Sequence, residues 1–351
     1  MIRILHAADL HLDSPFSALP PEQAVLRRAQ QRQLPQKLAE LCRVHGCDLL
    51  LLAGDVFDGS RVCPETIEAL QAAFSACSAE IFIAPGNHDP YTDDSPWNTA
   101  SWPEHVHIFS GRMEAITLPR LSCRVWGAGF RRQEARELLQ PISPDPQLME
   151  IGVLHGDPLY PGCYNHITAA QLQSCGLDYL ALGHIHKRAP LQYAGRTVYG
   201  WPGAAMGRGF DETGLCGVYL VEVSKSACTA EFLPLDLPRY EQLRWDPADG
   251  DLLLPKDSTQ VICRLTVTGS GPFDEAALRQ RLQPLFYALE LRNETEPARD
   301  IWAERGQPTL RGFALEQLFT VYSQAKTAAD RSTAALAAQY VLHALEGREL
   351  P

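Results

Sequence analysis

Residues 48–58 read Asp-Leu-Leu-Leu-Leu-Ala-Gly-Asp-Val-Phe-Asp. The unbroken apolar run is typical of a strand that is buried on both faces, as in the parallel sheets of α/β proteins. Gly54 then permits a sharp turn and brings Asp55 to the carboxyl end of that strand. Because ligands of open α/β sheets bind outside the carboxyl ends of the strands, this stretch predicts both the fold class and the edge that carries a site.

The sequence on either side of this stretch alternates between strand and helix patterns. Strands are predicted at Ile2–Ala7 and Glu80–Ala84, and helices at Glu22–His45, with a break near Pro35, and at Pro64–Cys77. A βαβαβ order of this kind predicts a parallel sheet that is covered by helices.

Beyond residue 106 the strand patterns follow one another more closely. They are predicted at Val106–Phe109, Cys123–Trp126, Met149–Leu154, Asp178–Leu182, Thr197–Tyr199 and Cys216–Val223. One helix, Thr168–Cys175, lies among them. We therefore expect an α/β fold in which two packed mixed β-sheets are flanked by helices.

A turn between Pro234 and Pro238 ends this region. The later elements are a strand, a helix and a short extended segment, predicted at Gln260–Val267, Asp274–Leu289 and Leu291–Asn293. Two helical patterns follow Pro308. We predict three domains, at residues 1–238, 239–300 and 301–351, of which the second is a small α+β cap and the third a helical segment.

The composition is that of a globular protein, with 45% hydrophobic and 21% charged residues among 351. No stretch reaches the roughly 18 apolar residues that a membrane span needs, and the N-terminus lacks the pattern of a signal peptide. We therefore expect a cytoplasmic protein without membrane contact. The ten cysteines include no Cys-x-x-Cys pair, so reduced thiols are expected rather than a structural zinc site.

The net charge is −11, from 31 basic and 42 acidic residues. A protein that binds DNA on its own usually carries a basic patch, so this charge argues against that class. It does not argue against a metal enzyme, because divalent cations bound among acidic ligands reverse the local field.

Five short motifs stand at the ends of predicted strands and supply metal-binding side chains. They are Asp9-Leu-His11, Gly54-Asp55-Val-Phe-Asp58, Gly86-Asn87-His88-Asp89, His155-Gly156-Asp157 and Gly183-His184-Ile-His186. A spacing of two residues places both side chains of the first motif, and both histidines of the last, on one face of an extended segment. Carboxylate, amide and imidazole ligands together suit Mn²⁺, Fe²⁺ or Zn²⁺. Each motif alone is commonplace, but the ordered set predicts a metal site.

In this order the motifs resemble those of the calcineurin-like metallophosphoesterase superfamily, over residues 1 to about 235. The resemblance implies two divalent metal ions bridged by Asp55. It assigns one ion to Asp9, His11, Asp55 and His186, and the other to Asp55, Asn87, His155 and His184. It also makes His88 the general acid beside the scissile phosphate, oriented by Asp58 or Asp89.

Within the superfamily, the sequence resembles SbcD- and YhaO-type DNA repair exonucleases. The stretches that carry this resemblance are Ala8–Phe16, Ala53–Asp58, Tyr199–Gly203 and Glu212–Tyr219. Asp58 departs from the archaeal and eukaryotic double-strand-break nucleases, which have histidine there, and resembles bacterial SbcD-like proteins, which have aspartate. Its catalytic role is therefore left open.

This resemblance implies a DNA exonuclease or endonuclease of DNA repair that uses two Mn²⁺ ions, with Fe²⁺ or Zn²⁺ as alternatives. The implied partners are DNA and a coiled-coil SMC-like ATPase of the SbcC or YhaN type. The ATPase would dock on the C-terminal helices, with Phe319 and Tyr322 as candidate anchors, and a homodimer is left open. Two other functions compete. The acidic charge favours a phosphodiesterase or phosphatase for a small molecule or phosphoprotein, whereas the complete ligand set disfavours a non-catalytic regulatory subunit.

Overall fold

A computed structural model describes residues 1–17, 19–270, 274–295 and 300–347 of the chain. The described residues divide into two compact units, whose bounds are given as ranges of the sequence that also span the gaps. The first comprises Met1–Gln242, Pro255–Arg264 and Gln283–Glu290, and the second comprises Leu243–Leu254, Leu265–Leu282 and Leu291–Pro351. The functional division at residues 238 and 300 stays a prediction, and residues 348–351 of its last segment lie outside the described residues.

The strands are β1 (Ile2–Ala7), β2 (Leu49–Leu52), β3 (Glu80–Ile83), β4 (Val106–Ile108), β5 (Glu114–Leu118), β6 (Cys123–Gly127), β7 (Met149–His155), β8 (Tyr179–Gly183), β9 (Ala189–Ala194), β10 (Thr197–Trp201), β11 (Gly217–Val223), β12 (Cys228–Pro234), β13 (Arg239–Trp245), β14 (Val261–Val267) and β15 (Ala288–Asn293). The helices are α1 (Pro21–Gln31), α2 (Leu34–His45), α3 (Pro64–Ala76), α4 (Pro96–Thr99), α5 (Ala169–Ser174), α6 (Glu275–Leu282), α7 (Leu310–Gln324) and α8 (Ala328–Glu346).

Two mixed six-stranded sheets are found in the described part of the first unit. One has the strand order β12-β11-β1-β2-β3-β4 and the other β5-β6-β7-β8-β10-β9. Strands β1 to β4 run parallel, as do β6, β7, β8 and β10. The antiparallel pairs are β1 with β11, β11 with β12, β5 with β6, and β9 with β10. This arrangement confirms the predicted fold class. Strands β13, β14 and β15 form a separate sheet of three.

Strand β2 shows how the sequence builds the layers. Leu49 and Leu51 pack in a core made by residues of both six-stranded sheets, whereas Leu50 and Leu52 pack in a core shared with α2 and α3. All four leucines are almost fully buried, and each such burial contributes about 1.5–3 kcal/mol. The strand is thus buried on both faces, as its unbroken apolar run predicted.

Residues that interrupt helix geometry set several boundaries. The helical pattern predicted at Glu22–His45 is two helices, α1 and α2, and Gly46 ends the second with a φ of 60° that glycine adopts without strain. The helix predicted at Asp274–Leu289 was too long. It ends at Leu282, because Pro284 cannot donate the backbone hydrogen bond that a helix interior needs, and β15 begins at Ala288.

The second unit contains the helix pair α7 and α8. The pair begins at two capping threonines, Thr309 and Thr327, whose side chains accept backbone N–H groups. Leu315, Ala338 and Leu342 form its small core. Among the described residues, no helix combines the length and the apolar character that crossing a bilayer requires. All ten cysteines are free thiols, as predicted.

Candidate metal centre

The parallel strands end at the same level and deliver the five motifs to one edge of the first unit. The register places Ala7 of β1 opposite Leu52 of β2, and Leu52 opposite Ile83 of β3. In the second sheet, His155 at the end of β7 lies opposite Gly183 at the end of β8. The motifs follow directly after these positions, so side chains that are far apart in sequence converge.

The first contacts join predicted ligands from different strands. The Nε2 atoms of His11 and His186 lie 3.2 Å apart, and Asp55 Oδ2 lies 3.7 Å from His11 Nε2 and 3.3 Å from His155 Nε2. Among the described residues, donor atoms lie within 4.8 Å of one another in three sets: Asp9, His11 and His186; Asp9, Asp55 and His155; and His11, Asp58 and His88.

Asn87 and His184 complete the group. Asn87 Oδ1 lies 3.0 Å from His155 Nε2, and the His184 ring lies edge-on to the His155 ring with centroids 5.2 Å apart. The backbone N–H of His184 donates to both carboxylate oxygens of Asp9 at 3.1 Å. All seven residues predicted as metal ligands therefore lie in one cluster.

Four of these seven residues hold their backbone in the left-handed region. The φ angles are 52° at Asp9, 45° at His11, 50° at Asp55 and 98° at His184. Such a conformation costs a non-glycine residue about 1–3 kcal/mol and persists only where the surroundings impose it. Here the N–H groups of Asp9 and His11 donate to the carbonyls of Gly54 and Asp55. Strain collected on the predicted ligands is typical of a functional site.

Three histidines are anchored through Nδ1 and point Nε2 into the cluster. His155 Nδ1 lies 2.9 Å from the carbonyl of Ala53, His11 Nδ1 lies 2.9 Å from Asp58 Oδ1, and His186 Nδ1 lies 2.8 Å from Glu212 Oε1. An acceptor at Nδ1 keeps the proton there and leaves the lone pair of Nε2 for a metal. A carboxylate or carbonyl oxygen beside each Nδ1, with Nε2 directed into the cluster, is the arrangement that best fits bound divalent cations.

The carboxylates fit the same conclusion. Asp9 and Asp55 are buried, and a buried carboxylate needs a compensating positive charge or hydrogen bonds. Burial disfavours the charged form of both members of the Asp55–His155 pair, but their mutual attraction outweighs it. The pKa of Asp55 is lowered, and that of His155 is raised to about 9. Oxygen and imidazole donors of this kind suit divalent ions of intermediate hardness.

Glycines permit the close packing of this edge. Gly54 has a φ of 86°, and a side chain there would overlap the imidazole of His155. At Gly86 an added Cβ would overlap the carboxylate of Asp55. The absence of a side chain at these two positions thus lets His155 and Asp55 pack against the backbone.

Asp89 positions the backbone of two motifs and does not contact His88 through its side chain. Its carboxylate accepts the N–H groups of Gly86, Asp55, Val56 and Phe57 at 2.7–3.3 Å. Burial and the nearby Asp55 charge nevertheless raise the pKa of Asp89 to about 7. Asp89 thus connects the loops after β2 and β3.

His88 is the exposed member of the cluster. Its backbone N–H donates to Asp55 Oδ1 at 2.9 Å, which orients that carboxylate. Its ring lies edge-on to His11 at 4.9 Å, and its Nδ1 lies 3.3 Å from the backbone carbonyl of Asp58. The Asp58 carboxylate itself is directed to His11 and to Arg208. His88 is therefore open to a substrate, whereas Asp58 is committed to other side chains.

Arg208 and Glu212 belong to this site, and the sequence did not assign them to it. Arg208 donates to Asp58 Oδ1 at 2.8 Å and to Glu212 Oε1 at 2.7 Å. Glu212 in turn contacts His186 Nδ1. Burial raises the pKa of Glu212, but the bonds to His186 and Arg208 outweigh it and lower that pKa to about 2. The sequence offered two weak signals. Glu212 begins one of the stretches that carry the family resemblance, and the two opposite charges are four residues apart, a spacing that is common on protein surfaces.

A cavity of about 340 Å³ opens beside His186. Lys187 and Arg188 line it together with residues 211–216. Arg188 is exposed, and its guanidinium group lies 3.9 Å from the centre of the Phe232 ring. The basic pair after the last motif thus lies next to the cluster, where contact with a phosphate is sterically open.

A family model and a similar protein of known sequence indicate the same family for this chain. Residues 2–188 match the family model described as calcineurin-like phosphoesterase. A Bacillus subtilis protein named "Uncharacterized metallophosphoesterase YhaO" is 31% identical over 348 residues, which span 87% of this chain and 81% of that protein.

Two further relatives carry nuclease names. A Rhodobacter capsulatus protein, named as a subunit of the nuclease SbcCD, is 34% identical over 94 residues, or 25% of this chain and 22% of that protein. The Escherichia phage T5 "Probable exonuclease subunit 1" is 23% identical over 289 residues, or 76% of this chain and 78% of that protein.

Proposed function

The chain belongs to the calcineurin-like phosphoesterase family, and from that premise we propose that it is a two-metal DNA nuclease of DNA repair. The coarser statement, that it is a metal-dependent phosphoesterase, follows from the family. One observation carries the metal chemistry at residue level: three histidines from three strand ends hold Nδ1 against an acceptor and direct Nε2 toward Asp9, Asp55 and Asn87.

The residues divide into two overlapping ligand sets. We assign one ion to Asp9, His11, Asp55 and His186, and the other to Asp55, Asn87, His155 and His184. Asp55 is shared, and its two oxygens already face different neighbours. Mn²⁺ is our choice of metal, with Fe²⁺ or Zn²⁺ as alternatives that the same donors accept. When bound, two such ions polarise phosphoryl oxygens and make water a better nucleophile at neutral pH.

His88 is the proposed general acid. It is exposed at the open side of the cluster, and its ring is held by the contact with the Asp58 carbonyl. In this role it donates a proton to the sugar oxygen that leaves phosphorus, and a positioned acid contributes typically about 10²–10⁴-fold. Asp58, Arg208 and Glu212 act as positioning residues, because they hold His11 and His186 through Nδ1.

DNA is favoured as the substrate by the nuclease names of two relatives and by the basic pair Lys187 and Arg188 beside His186. The net charge of −11 favours the alternative, a phosphodiesterase or phosphatase for a small molecule or phosphoprotein. A cytoplasmic location is part of the same proposal.

An SMC-like ATPase of the SbcC or YhaN type is the proposed partner. Both nuclease relatives are named as subunits, and a subunit needs a docking surface. Phe319 and Tyr322, the candidate anchors, pack against Trp302 of their own unit with ring centroids 5.1 and 5.4 Å away. Leu310, Phe313 and Val321 are more exposed, and we transfer the anchor role to them.

One assay tests the nuclease proposal. The purified protein is incubated with Mn²⁺ and labelled single-stranded or duplex DNA, and in parallel with a nitrophenyl phosphodiester. We expect cleavage of both the DNA and the aryl ester, both abolished by EDTA and by Asp55→Asn. Hydrolysis of the aryl ester without any cleavage of DNA would replace the nuclease by the small-molecule phosphodiesterase.

A further inference from the structure

A groove lined by arginines lies on the first unit, and none of the residues assigned above lines it. It encloses about 610 Å³ between the loop after β4 and the segment after β6. Its charged lining residues are Arg112, Arg131, Arg132, Arg136, Glu134 and Glu137. The groove therefore carries a local charge of +2, four arginines less two glutamates, on a chain whose net charge is −11.

The arginines of this groove lack acidic partners. Arg131 donates to the carbonyl of Ser110 at 3.1 Å and lies over the ring of Tyr91. Among the described residues, none forms a hydrogen bond or ion pair with the side chains of Arg112, Arg132 or Arg136. All three are exposed. Guanidinium groups that share one concavity, outnumber its carboxylates and pair with none of them form a site for an anion with several negative charges.

The groove adjoins the metal centre at the edge where the strands end. Arg112 follows β4, and the other three arginines follow β6. Between β6 and these arginines, Phe130 donates its N–H to the carbonyl of Pro85, and its ring lies 5.7 Å from the His155 ring.

A second contact joins the same segment to the centre. Ala135 donates its N–H to the carbonyl of Cys163, and the ring of the next residue, Tyr164, lies 5.5 Å from the His184 ring. Two residues of the groove segment thus lie one side chain away from two proposed ligands. These contacts connect the segment that lines the groove to the proposed metal centre.

We propose that this groove binds the sugar–phosphate backbone of a DNA strand whose scissile phosphate lies at the metal centre. The proposal rests on the proposed nuclease function and extends it to the part of the substrate beyond the reacting phosphate. Arginines that contact phosphates position the strand and carry no sequence information, so the groove serves binding without base preference. It also accounts for how an acidic chain holds a polyanion, since the contact needs only a local positive surface.

The experiment compares Arg132→Ala/Arg136→Ala with a matched double variant, Arg43→Ala/Arg120→Ala. The control also removes two positive charges, but near the amino ends of the strands, where Arg43 pairs with Glu40 and Arg120 pairs with Glu80. Binding of a labelled single-stranded phosphorothioate oligonucleotide, which resists hydrolysis, is measured on the Mn²⁺-loaded proteins at several salt concentrations. Hydrolysis of ordinary DNA and of a nitrophenyl phosphodiester is measured alongside.

We expect the groove variant to bind the oligonucleotide more weakly than wild type. The slope of the logarithm of the binding constant against the logarithm of the salt concentration should be smaller in magnitude by about 1.4, or ~0.7 for each of two lost phosphate contacts. The kcat/KM of this variant should fall for DNA and stay unchanged for the aryl ester. The control should match wild type. The proposal that the groove binds DNA is overturned if both variants lose the same amount of affinity, or if the groove variant keeps the affinity and the salt slope of wild type.

The two proposals fail in distinguishable ways. If the wild-type protein binds the oligonucleotide but does not cleave DNA, the nuclease proposal fails, and the groove still stands or falls on the difference in salt slope. If the wild-type protein does not bind the oligonucleotide at all, the groove is overturned even where the aryl ester is hydrolysed.

Discussion

The candidate metal centre of the first unit, here called the metal edge, and the helix pair of the second unit differ in which side chains they bury. At the metal edge, polar groups are buried: Asp9, Asp55 and His155 are at most 1% exposed, and each contacts other polar groups. On α7 and α8, apolar groups are exposed, with Leu310 at 75% and Phe313 at 67%.

Each pattern runs against what folding alone favours. Burying a carboxylate costs free energy unless it is paired or hydrogen-bonded, and leaving apolar side chains exposed forgoes the stabilisation that their burial would give. The difference indicates two separate tasks. The buried polar cluster is organised for ions and chemistry, whereas exposed apolar side chains of this kind are typical of a surface that contacts another molecule.

The largest effect is expected at the shared ligand. Asp55→Asn replaces a charged bridging oxygen by a neutral amide, which weakens both proposed ion sites at once. Loss of metal polarisation is worth several kcal/mol, so the rate should fall on the order of 10³-fold or more. Bound Mn²⁺ measured by elemental analysis should fall with it.

The matched control for that substitution is Asp236→Asn, at an exposed carboxylate just after β12. It should keep the wild-type rate and metal content. If Asp55→Asn retains both ions and full activity, the buried polar cluster is not the metal site, and its burial needs another explanation.

The second effect separates ion binding from proton transfer. His88→Ala should keep both ions, because His88 belongs to neither proposed ligand set, and should slow DNA cleavage about 10²–10⁴-fold. A nitrophenyl ester should be nearly unaffected, since nitrophenolate is a good leaving group and needs little help from an acid. Equal slowing of both substrates would argue against a general acid, and loss of metal would make His88 a ligand.

The third effect is smaller and tests the residues that position the histidines. Arg208→Ala removes the partner of Asp58 and Glu212, which hold His11 and His186. Loss of such an outer contact costs about 10–100-fold in metal affinity, so activity should need more Mn²⁺ and recover at saturation. Arg43→Ala is the control, because Arg43 pairs with Glu40 on the exposed surface of α2. Unchanged Mn²⁺ titrations in Arg208→Ala would refute the positioning role.

The sequence predicted the inner strands of the two six-stranded sheets and missed three of their four outer strands, β5, β9 and β12, for one physical reason. Inner strands such as β2 and β8 are buried on both faces and consist of unbroken apolar runs. Strands β5, β9 and β12 are outer strands that lie half exposed, so polar residues interrupt their pattern.

The same division applies to the site. Predicted ligands such as His184 and His186 follow strand ends in short motifs, which the local sequence is enough to recognise. Arg208 and Glu212 lie in the irregular segment between β10 and β11. Their role arises only when the fold brings Arg208 to Asp58, 150 residues away. Local spacing could not predict that contact.

The smallest effect on hydrolysis is expected at the helix pair, where the variants test the role of the exposed apolar side chains. Phe313→Asp changes an exposed side chain and should leave stability within about 0.5 kcal/mol. Leu315→Ala, two residues away, removes a side chain that is 1% exposed in the small core, and should destabilise the helix pair by about 2–5 kcal/mol. Neither should change hydrolysis of the nitrophenyl ester.

The two variants therefore separate docking from folding. If α7 and α8 dock the proposed ATPase, Phe313→Asp should abolish co-purification with it and its stimulation of DNA cleavage, while thermal unfolding stays unchanged. Deleting residues from 309 onward is a weaker test, because Trp302 would lose its contacts with Phe319 and Tyr322. Wild-type co-purification of Phe313→Asp would argue that this face does not bind the partner. Unfolding of that variant would place Phe313 in the protein's own packing, and the exposed apolar surface would then need a different explanation.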